Sequence, residues 1–189
     1  MKFTETQLKG CFIIEPNVIE DARGYFFESY HLQKFQDNTG KEIQFVQDNE
    51  SKSKYGVVRG LHMQRGGFAQ SKLVRVLSGK ILDVAVDVRK DSPTFGRHFS
   101  IELSSDNKKQ LFIPTGFLHG FSVLSEEAVV YYKCDAFYNK ESEQGINPVC
   151  TELKIDWKLP KDKILLSEKD ENAPSFAELI PFETQITNR

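Results

Sequence analysis

Metal-ligating and redox-active residues are scarce in this chain of 189 residues. It has four histidines, His31, His62, His98 and His119, and no His-x-His pair; two residues after His62 stands Gln64. Metal centres in small β-barrels typically draw on clustered histidines with a carboxylate, so this spacing argues against one. The three cysteines, Cys11, Cys134 and Cys150, are far apart and form no CxxC. An odd, dispersed set suits a reducing cytoplasm better than a disulfide framework. No apolar run reaches membrane-spanning length, and the first residues, Met1 to Thr6, lack the apolar core of a secretion signal. The expectation is a soluble cytoplasmic protein without a membrane partner. A net charge of −2 leaves no general basic footprint for nucleic acid. No repeat, low-complexity tract or Pro/Gly/Ser linker divides the chain, and its length suits a single domain over residues 1–189.

Aromatic residues are plentiful. Fifteen phenylalanines and six tyrosines against two methionines point to a rigid β core. Short β-like runs recur at the spacing of a sandwich or barrel: 24–29, 43–49, 57–64, 71–77, 80–88, 98–103, 110–113, 120–124 and 128–134. Helical signal is weak before the C-terminal third, where Pro174 to Leu179 reads as a capped turn or two. Ser78-Gly79 reads as a two-residue hairpin loop that would pair Leu77 with Lys80 and Val74 with Asp83. Alternation then gives one shared face to Lys72, Val74, Val76, Ile81, Asp83, Ala85 and Asp87. Such a face is either a lumen for a polar ligand or a solvated outer surface.

The segment Val57-Val58-Arg59-Gly60-Leu61-His62-Met63-Gln64 carries the sharpest functional question. A histidine among apolar strand residues is either a proton-transfer base or a buried, hydrogen-bonded structural residue. Arg59 and His62 have opposite parity on an ideal strand, and a bulge at Gly60 would let both face one pocket.

The motifs in order resemble the dTDP-4-dehydrorhamnose 3,5-epimerase family. The resemblance runs from about Phe3 to Phe182. It rests on DARGYFFE from Asp21, QDNES from Gln47, GVVRGLHMQ from Gly56, QSKLV from Gln70 and DVAVDVR from Asp83. It continues with SPTFG from Ser92, IPTGFLHGF from Ile113, Tyr132-Lys133-Cys134, and LSEKD from Leu166. Two stretches depart from the family pattern. Arg65-Gly66-Gly67-Phe68 stands where a proline-rich stretch is usual, and Asn147-Pro148-Val149-Cys150 lacks a common aspartate. The resemblance implies an all-β fold, a cupin-type jelly roll (double-stranded β-helix) with a few short helical segments, mostly C-terminal. It also implies a homodimer that uses neither metal nor organic cofactor.

The substrate it implies is a dTDP-4-keto-6-deoxy sugar. A C4 ketone acidifies the hydrogens at C3 and C5, since loss of either gives an enolate on the same oxygen. Catalysis then needs a base on one face, a cation or donor at the oxygen and an acid on the opposite face. By resemblance, His62 is the base, Asp170 orients it, Tyr132 is the acid and Lys72 stabilises the enolate. Arg23 and Arg59 match phosphate-side residues, and an arginine fork suits phosphate oxygens. Glu28, Gln47, Asn49, His119 and Glu143 match substrate contacts, Tyr138 matches the aromatic that stacks on thymine, and Lys169 is a further candidate contact. Read alone, Asp170 is a turn aspartate, Tyr132 a core aromatic, His119 a buried structural histidine and Arg23 a surface turn residue. The implied activity is 3,5-epimerisation in dTDP-L-rhamnose biosynthesis. The alternatives are an epimerase of one centre only, a non-catalytic sugar-nucleotide-binding cupin and, weakest, a metal-dependent cupin oxygenase.

Overall fold

Alternating side chains sort the strands into two facing antiparallel sheets, described for residues 1–183 by a computed structural model. The larger sheet runs β1 (Lys2–Glu5), β2 (Phe12–Glu15), β10 (Gln110–Ile113), β7 (Lys72–Ser78), β12 (Glu127–Cys134) and β5 (Gln47–Lys54). The smaller runs β13 (Glu143–Gly145), β6 (Val58–Gln64), β11 (Phe117–Val123), β8 (Lys80–Asp87) and β9 (His98–Ser104). From β5 to β13 the chain passes back and forth between the sheets, which makes the jelly roll that the sequence resemblance implies. Residues 184–189 lie outside the described part of the chain.

Between the sheets, Val74, Val76, Leu111 and Val130 of the larger meet Ile81, Ala85, Leu103 and Phe121 of the smaller. The outer face of the smaller sheet is apolar too. Val58, Leu82, Val84, Val86 and Leu118 are covered by Ile146, Leu153, Trp157, Leu179 and Phe182 from the C-terminal segment. Burial of each such side chain is worth roughly 1.5–3 kcal/mol. That cover has a functional consequence: it pins the short helix α2 (Glu168–Glu171) against β6, next to His62.

Several sequence expectations are corrected. Ser78-Gly79 does not close a hairpin, and Leu77 does not pair with Lys80 nor Val74 with Asp83. Strand β7 pairs with β10 and β12, whereas β8 pairs with β9 and β11. At Gly79 (φ +79) the chain crosses between sheets. The turn is anchored outside itself, with Lys80 N–H donating to Ser125 Oγ at 2.8 Å. The shared face survives across the sandwich, because Val74 and Val76 still meet Ile81 and Ala85 in one cluster.

The expected strand 43–49 is displaced to Gln47–Lys54, a polar edge strand whose eight residues all pair with β12. Backbone pairing holds it there, and a hydrophobic pattern cannot reveal that. The stretch 24–29 shortens to β4 (Gly24–Phe26), which pairs with β3 (Ile19–Asp21) in a separate hairpin. An unexpected helix, α1 (Leu32–Thr39), is capped by His31 and by Gly40 in the left-handed region (φ 64) and buries only Phe35. The Pro174–Leu179 turn is a 3₁₀ turn, Phe176–Glu178, closed by a Ser175–Glu178 capping box.

Candidate active site

One cavity of about 630 Å³ opens between the sheets, walled by Arg59, His62, Lys72, His119, Tyr132 and Asp170. A smaller one of about 130 Å³ shares His62, Lys72 and Tyr132 and adds Gln47, Asn49, Tyr138 and Glu143. A third, of about 780 Å³, lies behind α2 against Trp157 and Leu159 and holds none of the expected site residues.

The bulge anticipated at Gly60 is present. His62 faces His119 and Arg59 faces Phe121, so β6 takes three steps where β11 takes two. Gly60 (φ +108) fits because a Cβ there would lie 2.6 Å from the His119 carbonyl oxygen. The extra residue turns Arg59 and His62 to one cavity. Arg59 Nε donates to Ser53 Oγ at 2.9 Å, which aims its guanidinium.

His62 Nε2 lies 2.5 Å from Asp170 Oδ1, across 108 residues of chain. Asp170 is 3% exposed, and its backbone N–H donates to Ser167 Oγ at 3.1 Å. Burial by itself would raise the Asp170 carboxyl. The His62 hydrogen bond and charge, with Ser167 and the Gly60 backbone, hold it below the usual carboxylate range. A carboxylate only accepts hydrogen bonds, so His62 carries its proton on Nε2 and keeps Nδ1 as the basic nitrogen. Nδ1 lies 3.7 Å from Glu143 Oε1. Glu143 also accepts from Tyr138 Oη at 3.0 Å and pairs with Lys169 at 2.7 Å.

Strand β12 separates its two tyrosines as alternation requires. Tyr131 Oη donates to Asp48 at 2.7 Å on the outer face, whereas Tyr132 packs inward against the core. Burial raises the Tyr132 phenol above its ordinary pKa, so it keeps its proton. Lys72 Nζ sits 5.8 Å from the Tyr132 ring centre. Burial lowers the Lys72 ammonium, against the pull of the Asp83 and Glu143 carboxylates. His119 is buried, and its Nε2 lies 2.7 Å from Asp83 Oδ1; burial lowers its pKa despite that partner. Gln47 Oε1 accepts the Tyr138 backbone N–H at 2.9 Å, and Gln47 Nε2 donates to Asn49 at 3.1 Å.

Two expected residues are not brought to the cavity within one chain. Arg23 sits at the tip of the β3–β4 hairpin with its side chain 90% exposed, folded back on Asp21. Glu28 pairs with Lys34 at 2.7 Å. Arg23 in this hairpin and Glu28 just beyond it line neither of the cavities that hold His62. Asp83, on the face that alternation assigns to Lys72, is buried beside the site and is not among the expected site residues. Gln64, whose Oε1 accepts the Asn139 backbone N–H at 2.9 Å, is not among them either.

A family model described as dTDP-4-dehydrorhamnose 3,5-epimerase matches residues 5–178. The chain belongs to that family. The dTDP-4-dehydrorhamnose 3,5-epimerase of Methanothermobacter thermautotrophicus is 50% identical over 90% of this chain and 92% of its own. The crystal structure of dTDP-4-dehydrorhamnose 3,5-epimerase from Elizabethkingia anophelis is 57% identical, with a TM-score of 0.91 over 94% of this chain and 97% of that one. A dTDP-6-deoxy-D-glucose-3,5-epimerase from Legionella pneumophila, crystallised with dTDP-4-keto-L-rhamnose, is 43% identical, with a TM-score of 0.92 over 97% of this chain and 98% of that one. The epimerase family's jelly roll is thus the fold of this chain.

Proposed function

We propose that this chain inverts C3 and C5 of dTDP-4-dehydro-6-deoxy-D-glucose, giving dTDP-4-dehydro-L-rhamnose for dTDP-L-rhamnose biosynthesis. The observation that carries the mechanism is that His62 and Tyr132 line one cavity from opposite sheets, β6 and β12. A base and an acid on facing walls suit removal of a proton from one side of a carbon and its return from the other.

In each half-reaction His62 takes the hydrogen from C3 or C5 as a proton. The C–H electron pair moves to the C4 oxygen as an enolate, which the Lys72 ammonium stabilises. Tyr132 then delivers a proton to the opposite face as the carbonyl re-forms. His62 releases its proton to solvent and Tyr132 regains one. Asp170 favours the imidazolium that forms between these steps. Arg59 serves the diphosphate, Tyr138 stacks on thymine, and Gln47, Asn49, His119, Glu143 and Lys169 contact the rest of the substrate.

The reading includes a single domain and a homodimer. The β3–β4 hairpin exposes Ile19, Tyr25 and Phe26 at 59%, 57% and 70%, an apolar surface suited to a second copy of the chain. A pairing that seats this hairpin on its partner would carry Arg23 and Glu28 toward the partner's cavity. Light scattering under assay conditions should give about twice the 21.7 kDa chain mass; a mass of one chain would contradict the dimer. The three free cysteines suit a reducing cytoplasm, and no helix among the described residues is long and apolar enough to cross a membrane.

The function is tested by the product. Incubated with dTDP-4-dehydro-6-deoxy-D-glucose, the protein should yield a sugar inverted at both centres by NMR. Inversion at one carbon would reduce it to a single-centre epimerase, and none would leave a binding protein. Among the described residues no three His, Cys, Asp or Glu side chains are grouped to hold a metal ion. The rate should therefore survive exhaustive chelation, and a bound transition metal whose removal stops turnover would refute proton transfer by side chains alone.

A further inference from the structure

Asp83 is fully buried on β8, yet the mechanism above gives it no task. Its strand-face neighbours Ile81 and Ala85 are apolar members of the core. Its Oδ1 accepts from His119 Nε2 at 2.7 Å. Its Oδ2 is buried with no hydrogen-bond partner among the described residues. A buried, unpartnered carboxylate oxygen is costly, and a residue that only filled the core would not incur that cost.

The groups around Lys72 narrow its purpose. Lys72 meets the carboxylates of Asp83 from β8 and Glu143 from β13, while Cys134 from β12, whose thiol is pushed up to about 11 by burial, stays neutral. Tyr132 stands beside it, and His62 and His119 from β6 and β11 line the same cavity. Glu143 is engaged by Lys169 and Tyr138, and Asp170 by His62. Among the described residues, Asp83 is the carboxylate of this group with a fully buried oxygen that has no hydrogen-bond partner.

We propose that Asp83 is a positioning residue for the epimerisation: Oδ1 fixes the His119 ring, and the spare Oδ2 supplies the field that keeps the Lys72 ammonium charged beside the C4 oxygen. The inference rests on the proposed role of Lys72. It also sets the chemistry of His119. With Nε2–H donating to Asp83, the ring presents Nδ1 to the cavity as an acceptor for a substrate hydroxyl.

Asp83→Asn tests this, because the amide oxygen still accepts from His119 while the charge is removed. Burial already lowers Lys72, and Asp83 opposes that fall. Without the carboxylate the ammonium deprotonates at lower pH, and activity that needs it is lost earlier as pH rises. The basic limb of the kcat profile should move down by about one unit, a tenfold loss on its alkaline side, with KM little changed. In a Lys72→Met background, Asp83→Asn should then have no further effect on that limb. An unmoved basic limb, or an equal loss at every pH that persists in the Lys72→Met background, would overturn the proposal. Lys72→Met at the wild-type rate would instead remove Lys72 from the mechanism, and the proposal would fall with it. Imidazole ¹⁵N NMR of the wild-type protein gives a second reading that does not depend on a variant folding. His119 should be the neutral Nε2–H tautomer at pH 7, and an Nδ1–H tautomer would overturn the assignment.

Discussion

His62→Asn is expected to lose solvent exchange at both C3 and C5, by about two to four orders of magnitude, the usual cost of removing a positioned general base. One base serves both carbons, so both exchanges should fall together. The substitution leaves a neighbour that can be watched separately. Asp170 is held as a low-pKa carboxylate largely by His62, so its carboxyl should titrate at higher pH in the variant. Wild-type exchange in His62→Asn would make His62 structural and the proposed site wrong.

Tyr132→Phe is expected to give a different phenotype. The ring and its packing remain, and only the donor on the opposite wall is lost. Abstraction by His62 should continue, and the enolate should be reprotonated from the His62 side. The recovered sugar would keep its starting configuration while carrying solvent deuterium. Deuterium uptake and stereochemistry measured on the same sample separate the two steps. Inversion of both centres at the native rate would assign the acid to another group, with Tyr138 or a bound water next in line.

The parts of the site set by local alternation were legible before the structure. Parity sets Lys72, Val74 and Val76 on one face of their strand, Ile81, Asp83 and Ala85 on one face of theirs, and splits Tyr131 from Tyr132. That the two sets meet comes from the sandwich and not from the hairpin expected to join them. The Gly60 bulge was legible because Arg59 and His62 cannot face one pocket without it. Sheet membership was not, because a two-residue turn looks the same whether it closes a hairpin or crosses the sandwich. The difference at Gly79 lies in the distant loop at Ser125 that anchors it. Strand β5 was displaced because Gln47–Lys54 is mostly polar and is held by its backbone pairing with β12. The His62–Asp170 contact spans 108 residues, and only the resemblance pointed to it; Ser167 at the α2 cap then sets its geometry. Arg23 and Glu28 were assigned by the same resemblance, and one chain does not bring them in.

The most direct measurement is deuterium incorporation by the wild-type protein. In deuterated water with dTDP-4-dehydro-6-deoxy-D-glucose, NMR should find label at both C3 and C5, each in the inverted product. No label at either carbon, with the sugar nucleotide bound but unchanged, would contradict the proton-transfer site built on His62 and Tyr132.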